Sequence, residues 1–379
     1  MFIKATEKTL KILTVFLALI AAVTLSAGCT GKSHTLTYNA LSWDEVKGAD
    51  GYRVYDGDAL IGETTDTAFL LREDAGQHNI RLVSYKGDKD KEICNFSYSV
   101  PALSEKIYNG ADAFEEEQTS EESYFSAAQH LKIDYTGSGK AGDEFTKVIN
   151  LASNVKKVSI VSDRRITVRA SFVIQKRTED IEFELENVVL HGLQTQQYAI
   201  SYDGGYQASS GCLILKLFGV YNAVLCGYVA PGGEDGERSG WFKHGETGGN
   251  GGDGGGAISA GEIYVISEGD AVFTGGNGGI GGNGGDAGGI NKVGNGGNGG
   301  KGGNAVTGTK FSLFMLNGAF SASGGSGGTG GKRGNPVDSG GLTSDRYDGK
   351  AGADGTGLAV TEKIALRGNF GEEEDSENA

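Results

Sequence analysis

The sequence predicts an all-β chain: a small β-sandwich followed by a solenoid of stacked strand pairs that carries glycine-rich inserts of polyproline-II type. Three observations carry this. Residues 34–101 hold short alternating apolar runs broken by turn residues, the pattern of an antiparallel sandwich. From residue 124 onward a unit of strand, Asn or Asp turn and strand recurs. Finally, 66 of the 379 residues are glycine and only 3 are proline, with most glycines concentrated between Gly232 and Gly357. A collagen triple helix is excluded, because it needs abundant proline beside its glycine. The formal charge of −15 argues against a nucleic-acid footprint, which needs a basic surface.

Residues 1–28 read as a signal peptide and are set aside from the fold. Lys4, Lys8 and Lys11 form a basic start, and Ile12 to Val23 is an apolar run too short to span a bilayer core of ~30 Å. The following Leu25-Ser26-Ala27-Gly28-Cys29 resembles the lipobox of bacterial lipoproteins. That resemblance implies cleavage before Cys29, lipidation of Cys29, a linker over 29–33 and a protein held on the outer face of a membrane by two or more acyl chains. The departure is Ser26, where leucine is usual. An ordinary signal peptide with an incidental cysteine is the alternative.

In residues 34–101, Trp43 opens the pattern, Tyr52-Arg53-Val54-Tyr55 alternates, Asp56-Gly57-Asp58 is a hairpin turn, and Phe96, Tyr98 and Val100 close it. The run from Leu41 through Thr64 resembles a fibronectin type III domain, short for that fold and altered around Gly76 to Ile80. The resemblance implies a spacer or adhesion module. His78 reads as a surface or hydrogen-bonded residue, and Cys94 stands alone. Residues 102–123, rich in glutamate, read as an acidic linker.

Over 124–370 the apolar pairs align on a turn position: Asn187, Asn222, Asp270, Asn317 and Asn369. One such unit cannot bury its own apolar face, whereas stacked units can. Asparagines at one turn would form a ladder, each amide bonding to the next. The pattern resembles the right-handed parallel β-helix of pectate-lyase-like proteins. The spacing of those five positions far exceeds the ~20–30 residues of an ordinary coil, and the excess is glycine. Cys212 and Cys226 flank one strand–turn–strand stretch and read as two buried thiols, with a bridge as the alternative.

The inserts, about 232–357, run as Gly-Gly-X: Gly275-Gly276-Asn277, Gly278-Gly279-Ile280, Gly281-Gly282-Asn283. Three residues per turn is the period of a polyproline-II helix, which has no internal hydrogen bonds and must find partners elsewhere. Two glycines per turn allow backbones to meet without a Cβ between them. The pattern resembles the polyglycine-II bundles of some phage tail-tip adhesins, a springtail antifreeze protein and the PE-PGRS proteins, which share no common activity. A disordered glycine linker is the alternative. A phosphate cradle is excluded, since no helix follows the glycines. Calcium enters only through Gly281 to Gly289, one imperfect nonapeptide copy with Asp286 at the ligand position and Gly288 where a large apolar residue belongs. No metal site is expected from cysteine and histidine spacing.

The best local cluster for chemistry is Glu234-Asp235-Gly236-Glu237-Arg238 with Lys243 and His244, beside Trp241 and Phe242, which are suited to stacking on a sugar. If the chain is an enzyme, Asp235, Arg238 and His244 are its candidates, cleaving polysaccharide as a lyase or a glycoside hydrolase. The other reading is an exposed polar loop, and Asp163-Arg164-Arg165 reads as a turn. The expected role is non-catalytic: binding, adhesion or display toward glycans or surface proteins. The acidic stretch 371–379 reads as a disordered tail.

Overall fold

The computed structural model describes residues 34–71, 74–110, 125–137, 146–207, 211–219, 223–239, 243–287, 291–336, 346–368 and 370. The expected signal peptide over 1–28, Cys29, Asn222, Trp241, Phe242, Asn369 and the expected tail over 371–379 therefore lie outside the described residues. Every regular element among those described is a strand. The chain divides into two compact units, Met1–Leu103 and Ser104–Ala379.

The first unit contains β1 (His34–Thr37), β2 (Ala40–Trp43), β3 (Gly51–Asp56), β4 (Ala59–Thr64), β5 (Ala68–Leu70), β6 (Gly76–Lys86) and β7 (Lys89–Val100). They form two antiparallel sheets, ordered β1-β2-β5 and β4-β3-β6-β7. Alternation explains the result, because every second residue of a strand faces the same side. Leu41 and Trp43 from one sheet meet Tyr52, Val54, Ile80, Leu82 and Phe96 from the other in one core, with Trp43 edge-on to Tyr52 at 5.2 Å. Cys94 is buried there. The expected hairpin at Asp56-Gly57-Asp58 joins β3 to β4, and Gly57 has φ +58°, the left-handed region where a side chain is disfavoured. His78 is hydrogen-bonded at both ring nitrogens, to Asp56 Oδ2 at 2.7 Å and the Asp74 carbonyl at 2.8 Å, and stacks on Tyr98. The imidazole and the Asn79 N–H together hold the Asp56 carboxyl below its usual range.

The second unit is one large parallel sheet, curled on itself. Its strands are β8 (Glu105–Asn109), β9 (His130–Asp134), β10 (Thr146–Leu151), β11 (Lys157–Ile174), β12 (Ile181–His191), β13 (Tyr198–Tyr202), β14 (Cys212–Phe218), β15 (Ala223–Cys226), β16 (Gly256–Ser259), β17 (Glu262–Ser267), β18 (Ala271–Thr274), β19 (Val306–Thr307), β20 (Lys310–Met315), β21 (Phe320–Ser323), β22 (Leu358–Ala359) and β23 (Glu362–Arg367). They pair in three parallel ladders. The first runs through β8, β9, the start of β11, the start of β12, β14, β17, β20 and β23. The second runs through the middle of β11, the end of β12, β15, β18 and β21. The third runs through β10, the end of β11, β13, β16, β19 and β22. β11 passes through all three, turning at Asp163-Arg164-Arg165, where its register shifts and all three side chains are exposed.

The core lies inside the curl. Leu131, Val158, Phe183, Leu215, Val265 and Leu313 sit opposite one another on successive strands of the first ladder, and all are fully buried. Each such side chain contributes ~1.5–3 kcal/mol by leaving water. β8 corrects the linker expectation, since residues 105–109 are the first strand of the sheet rather than part of a linker over 102–123. Its one fully inward residue, Tyr108, packs edge-on to Phe125, too slight a signal to register as a strand in a glutamate-rich stretch.

Of the five expected ladder positions, Asn187, Asp270 and Asn317 are described, while Asn222 and Asn369 lie outside the described residues. Asn187, buried at φ +58°, donates from Nδ2 to the Ser162 carbonyl at 2.7 Å. Asp270 accepts the Ala319 N–H at 2.8 Å. Because Ala271 pairs with Phe320, the residue opposite Asp270 is Ala319, and Asn317 falls out of register on an exposed corner. The corner between β20 and β21 is one residue longer than that between β17 and β18, and Gly318 absorbs the excess at φ +80°.

On the outer side of the first ladder, Lys157 bridges Glu182 at 2.8 Å and Glu184 at 2.6 Å, and Lys216 joins Glu182 at 2.6 Å. Burial alone would raise the Glu182 carboxyl, but Lys216 and Lys157 outweigh it and hold it low. Arg177, buried, caps the carbonyls of Ala152 at 2.7 Å and of Val155.

Candidate functional site

The glycine-rich inserts form three hairpins that each lead from the second ladder to the third. Their outgoing and returning segments are 227–239 and 243–255, 275–287 and 291–304, and 324–336 and 346–357. None carries an internal hydrogen-bond pattern of its own, so every backbone donor must be matched by a neighbouring segment. The matching follows one rule, visible at Asn298-Gly299-Gly300. Asn298 N–H donates to Asn250 Oδ1 in the preceding hairpin at 2.8 Å. Gly299 N–H donates to the Lys350 carbonyl in the following hairpin at 2.8 Å. Gly300 N–H donates to the Gly279 carbonyl in the antiparallel partner of the same hairpin at 2.8 Å.

This rule requires two glycines in three. A Cβ on Gly300 would lie 1.7 Å from the Gly252 oxygen, and one on Gly279 would lie 1.8 Å from the Pro231 oxygen. At the edges the rule relaxes. In the first outgoing segment the positions matching Gly276, Gly279, Gly282 and Gly285 are Tyr228, Pro231, Glu234 and Glu237. Those four glycines donate their N–H groups back to the first hairpin's returning segment. The first hairpin has no earlier hairpin to meet, so side chains fit there, and the missing N–H of Pro231 is not needed. In the last returning segment, Asp348, Ala351 and Asp354 replace the glycines matching Gly296, Gly299 and Gly302. Asp354 and Asp348 turn back to accept the N–H groups of Gly327 at 2.7 Å and Arg333 at 2.8 Å. Carboxylates thus cap an open hydrogen-bonding edge, which otherwise invites pairing with another chain.

The third residue of each triplet supplies a clamp. An Asn or Asp Oδ1 accepts the N–H of one residue in the next hairpin, and the N–H of the glycine after it donates to the carbonyl of that same residue. Asn250-Gly251 grips Asn298 in this way at 2.8 Å for both bonds, and Asn298-Gly299 grips Lys350 at 2.9 and 2.8 Å. Asn277, Asn283 and Asn295 repeat it on Ser326, Lys332 and Tyr347. Asp253 does so on Lys301, and Asp270-Ala271 carries the same clamp onto Ala319 at the strand corner.

The sequence candidates take places in this scheme. Asp235 Oδ1 accepts the Asn283 N–H at 2.6 Å while Gly236 donates to the Asn283 carbonyl at 2.7 Å. His244 does the same on Lys292: its Nδ1 accepts at 2.9 Å and Gly245 donates at 2.9 Å. The bond requires an unprotonated Nδ1. Asp286, the calcium candidate, accepts the Asn335 N–H at 2.7 Å. Arg238 is exposed on the outgoing segment. Among the described residues no group of three or more His, Cys, Asp or Glu gathers to hold a metal ion. The outward third positions, including Asn250, Asn277, Ile280, Asn298, Lys301, Thr329, Lys332 and Lys350, are exposed. The array therefore presents ranks of mainly polar side chains fixed from beneath by their own backbone.

The Lys157–Glu182–Lys216 row was not legible in advance, because its members lie on three strands far apart in sequence. Its charges satisfy one another. The chain matches no family model, no curated protein and no solved structure.

Proposed function

We propose that this chain is a non-catalytic surface lipoprotein that displays its glycine array as a binding face for glycans or surface proteins. In this reading Cys29 carries the lipid anchor and residues 34–101 are a fibronectin type III-like spacer. Residues 124–370 are a parallel β-helix, and its three hairpins are a polyglycine-II bundle. One observation carries the reading: the repeated geometry of the Asx–Gly clamp, which fixes the array's backbone and leaves its third side chains outward. A rigid surface needs no ordering on binding, which lowers the entropic cost of association. The engagement of Asp235 and His244 in clamps supports a structural rather than a chemical task for them.

The test is binding of the chain to immobilised polysaccharides and purified surface proteins, compared with Gly300→Val. The expected outcome is binding that the variant loses while its strands remain intact by circular dichroism. Equal binding by both would move the binding face off the array. Release of reducing ends from a polysaccharide, abolished by Asp235→Ala or Arg238→Ala, would replace this reading with an enzymatic one. Metabolic labelling with a fatty-acid probe, lost in Cys29→Ser, tests the anchor.

A further inference from the structure

Asn–Gly is the dipeptide in which an asparagine side chain is most easily attacked by its own backbone. The following amide nitrogen adds to Cγ, the Nδ2 group leaves as ammonia, and water opens the resulting succinimide to aspartate or isoaspartate. Glycine favours the step because no Cβ hinders the nitrogen. The array holds five such pairs, beginning at Asn250, Asn277, Asn283, Asn295 and Asn298, and two more begin at Asn109 and Asn317. At the end of β8 the Gly110 N–H donates to the Asp134 carbonyl at 2.8 Å, so the nucleophile of the Asn109 pair is also held.

The five array pairs share one geometry. In each, both reacting groups are tied to a single residue of the next hairpin. The asparagine Oδ1 accepts that residue's N–H, and the glycine N–H, whose nitrogen is the nucleophile, donates to that residue's carbonyl. The nucleophile faces the neighbouring hairpin rather than its own Cγ, and it cannot lose its proton without losing the bond. Asn317-Gly318 is built differently. It sits on the exposed corner between β20 and β21, out of register with Asp270, and Gly318 N–H donates to no backbone carbonyl among the described residues.

We propose that Asn317 is the site of spontaneous deamidation in the folded protein, and that the clamp protects the five array asparagines. The protection has a structural consequence. Isoaspartate inserts one methylene into the main chain, and a period of three cannot absorb it. Aspartate alone would be tolerated, since Asp235 and Asp253 already serve as clamps. This inference is independent of what the array binds.

The experiment incubates the whole chain at mildly alkaline pH, folded and in denaturant, and follows each pair by peptide mass spectrometry. In denaturant all seven pairs convert at comparable rates. In the folded chain Asn317 converts, and the array pairs are slowed by at least about tenfold, because attack must wait for local opening. Conversion of array pairs at the rate of Asn317, an equally protected Asn317, or array pairs that persist in denaturant would each overturn the proposal. Lys350→Pro separates the clamp from general order. Proline keeps the polyproline-II backbone but removes the N–H that Asn298 Oδ1 accepts. Asn298 should then convert faster in the folded chain, with Asn250, Asn277, Asn283 and Asn295 unchanged. An unchanged Asn298 would remove the side-chain half of the clamp as a cause.

Discussion

The curled strand sheet and the glycine array are built from the same chain passages by opposite means. In the sheet, backbone ladders bring apolar side chains into register, and burial of columns such as Leu131 to Leu313 stabilises the whole. In the described array the interior is almost all backbone, with Ala230, Ala287 and Val293 as its buried apolar side chains. Backbone meets backbone, and side chains point outward or cap amides. Hydrogen bonds contribute little net energy each, ~1 kcal/mol, but a buried donor left unmatched costs more. The array is therefore a structure in which every position must be satisfied, whereas the sheet tolerates local variation as long as volume is kept.

Substitutions sharpen this contrast. Phe183→Ala should have the largest effect. Phe183 is fully buried and packs edge-on to Phe172 at 5.3 Å, so its loss should destabilise the second unit by ~4 kcal/mol, read from the urea midpoint. Gly300→Ala should cost ~3 kcal/mol despite adding only a methyl group, because its Cβ would meet the Gly252 oxygen at 1.7 Å. Gly269→Ala, where a Cβ meets nothing within 4 Å, should leave the midpoint unchanged. A small effect at Gly300 would show that the array is looser than its bonding rule requires.

Glu182→Gln should cost ~2–3 kcal/mol by leaving Lys157 and Lys216 without their shared partner. Because Lys216 and Lys157 hold the folded Glu182 carboxyl below its unfolded value, its contribution is complete above pH ~4.3. It should fade as pH falls through the lower folded value, and the acid-unfolding curve of Glu182→Gln should lack that component. Smaller than these losses, Asn298→Ala should cost ~1 kcal/mol by removing one clamp acceptor. Asn298→Asp should be nearly neutral, since aspartate already fills that role at Asp235 and Asp253. Hydrogen exchange at Lys350, whose N–H the clamp holds, reads both directly.

Much of this was legible in advance. The alternation around Tyr52 to Tyr55, the strand pairs from Ile181 onward and the Gly-Gly-X period each follow from local rules of side-chain direction or backbone approach. The Asx–Gly clamp was not, because Asn250 and Asn298 are brought together only when two hairpins stack. Asp235 and His244 read as candidate chemistry for the same reason: an acid and an imidazole near tryptophan look alike in sequence whether they face a substrate or cap an amide. Asn317 looked like a ladder residue because counting back from Phe320 ignores one extra residue in a corner.

By itself, the sequence determined that the chain would be all-β, where its strands alternate, and that the inserts would need neighbours for their backbone bonds. Those features follow from pattern and period, which act over a few residues. Only the tertiary structure decided which hairpin lies against which, why glycine gives way to Tyr228, Pro231, Glu234 and Glu237 on one edge and to Asp348 and Asp354 on the other, and which asparagines hold a partner. These depend on registers set by strand pairing between residues about fifty positions apart, and no local signal carries a register.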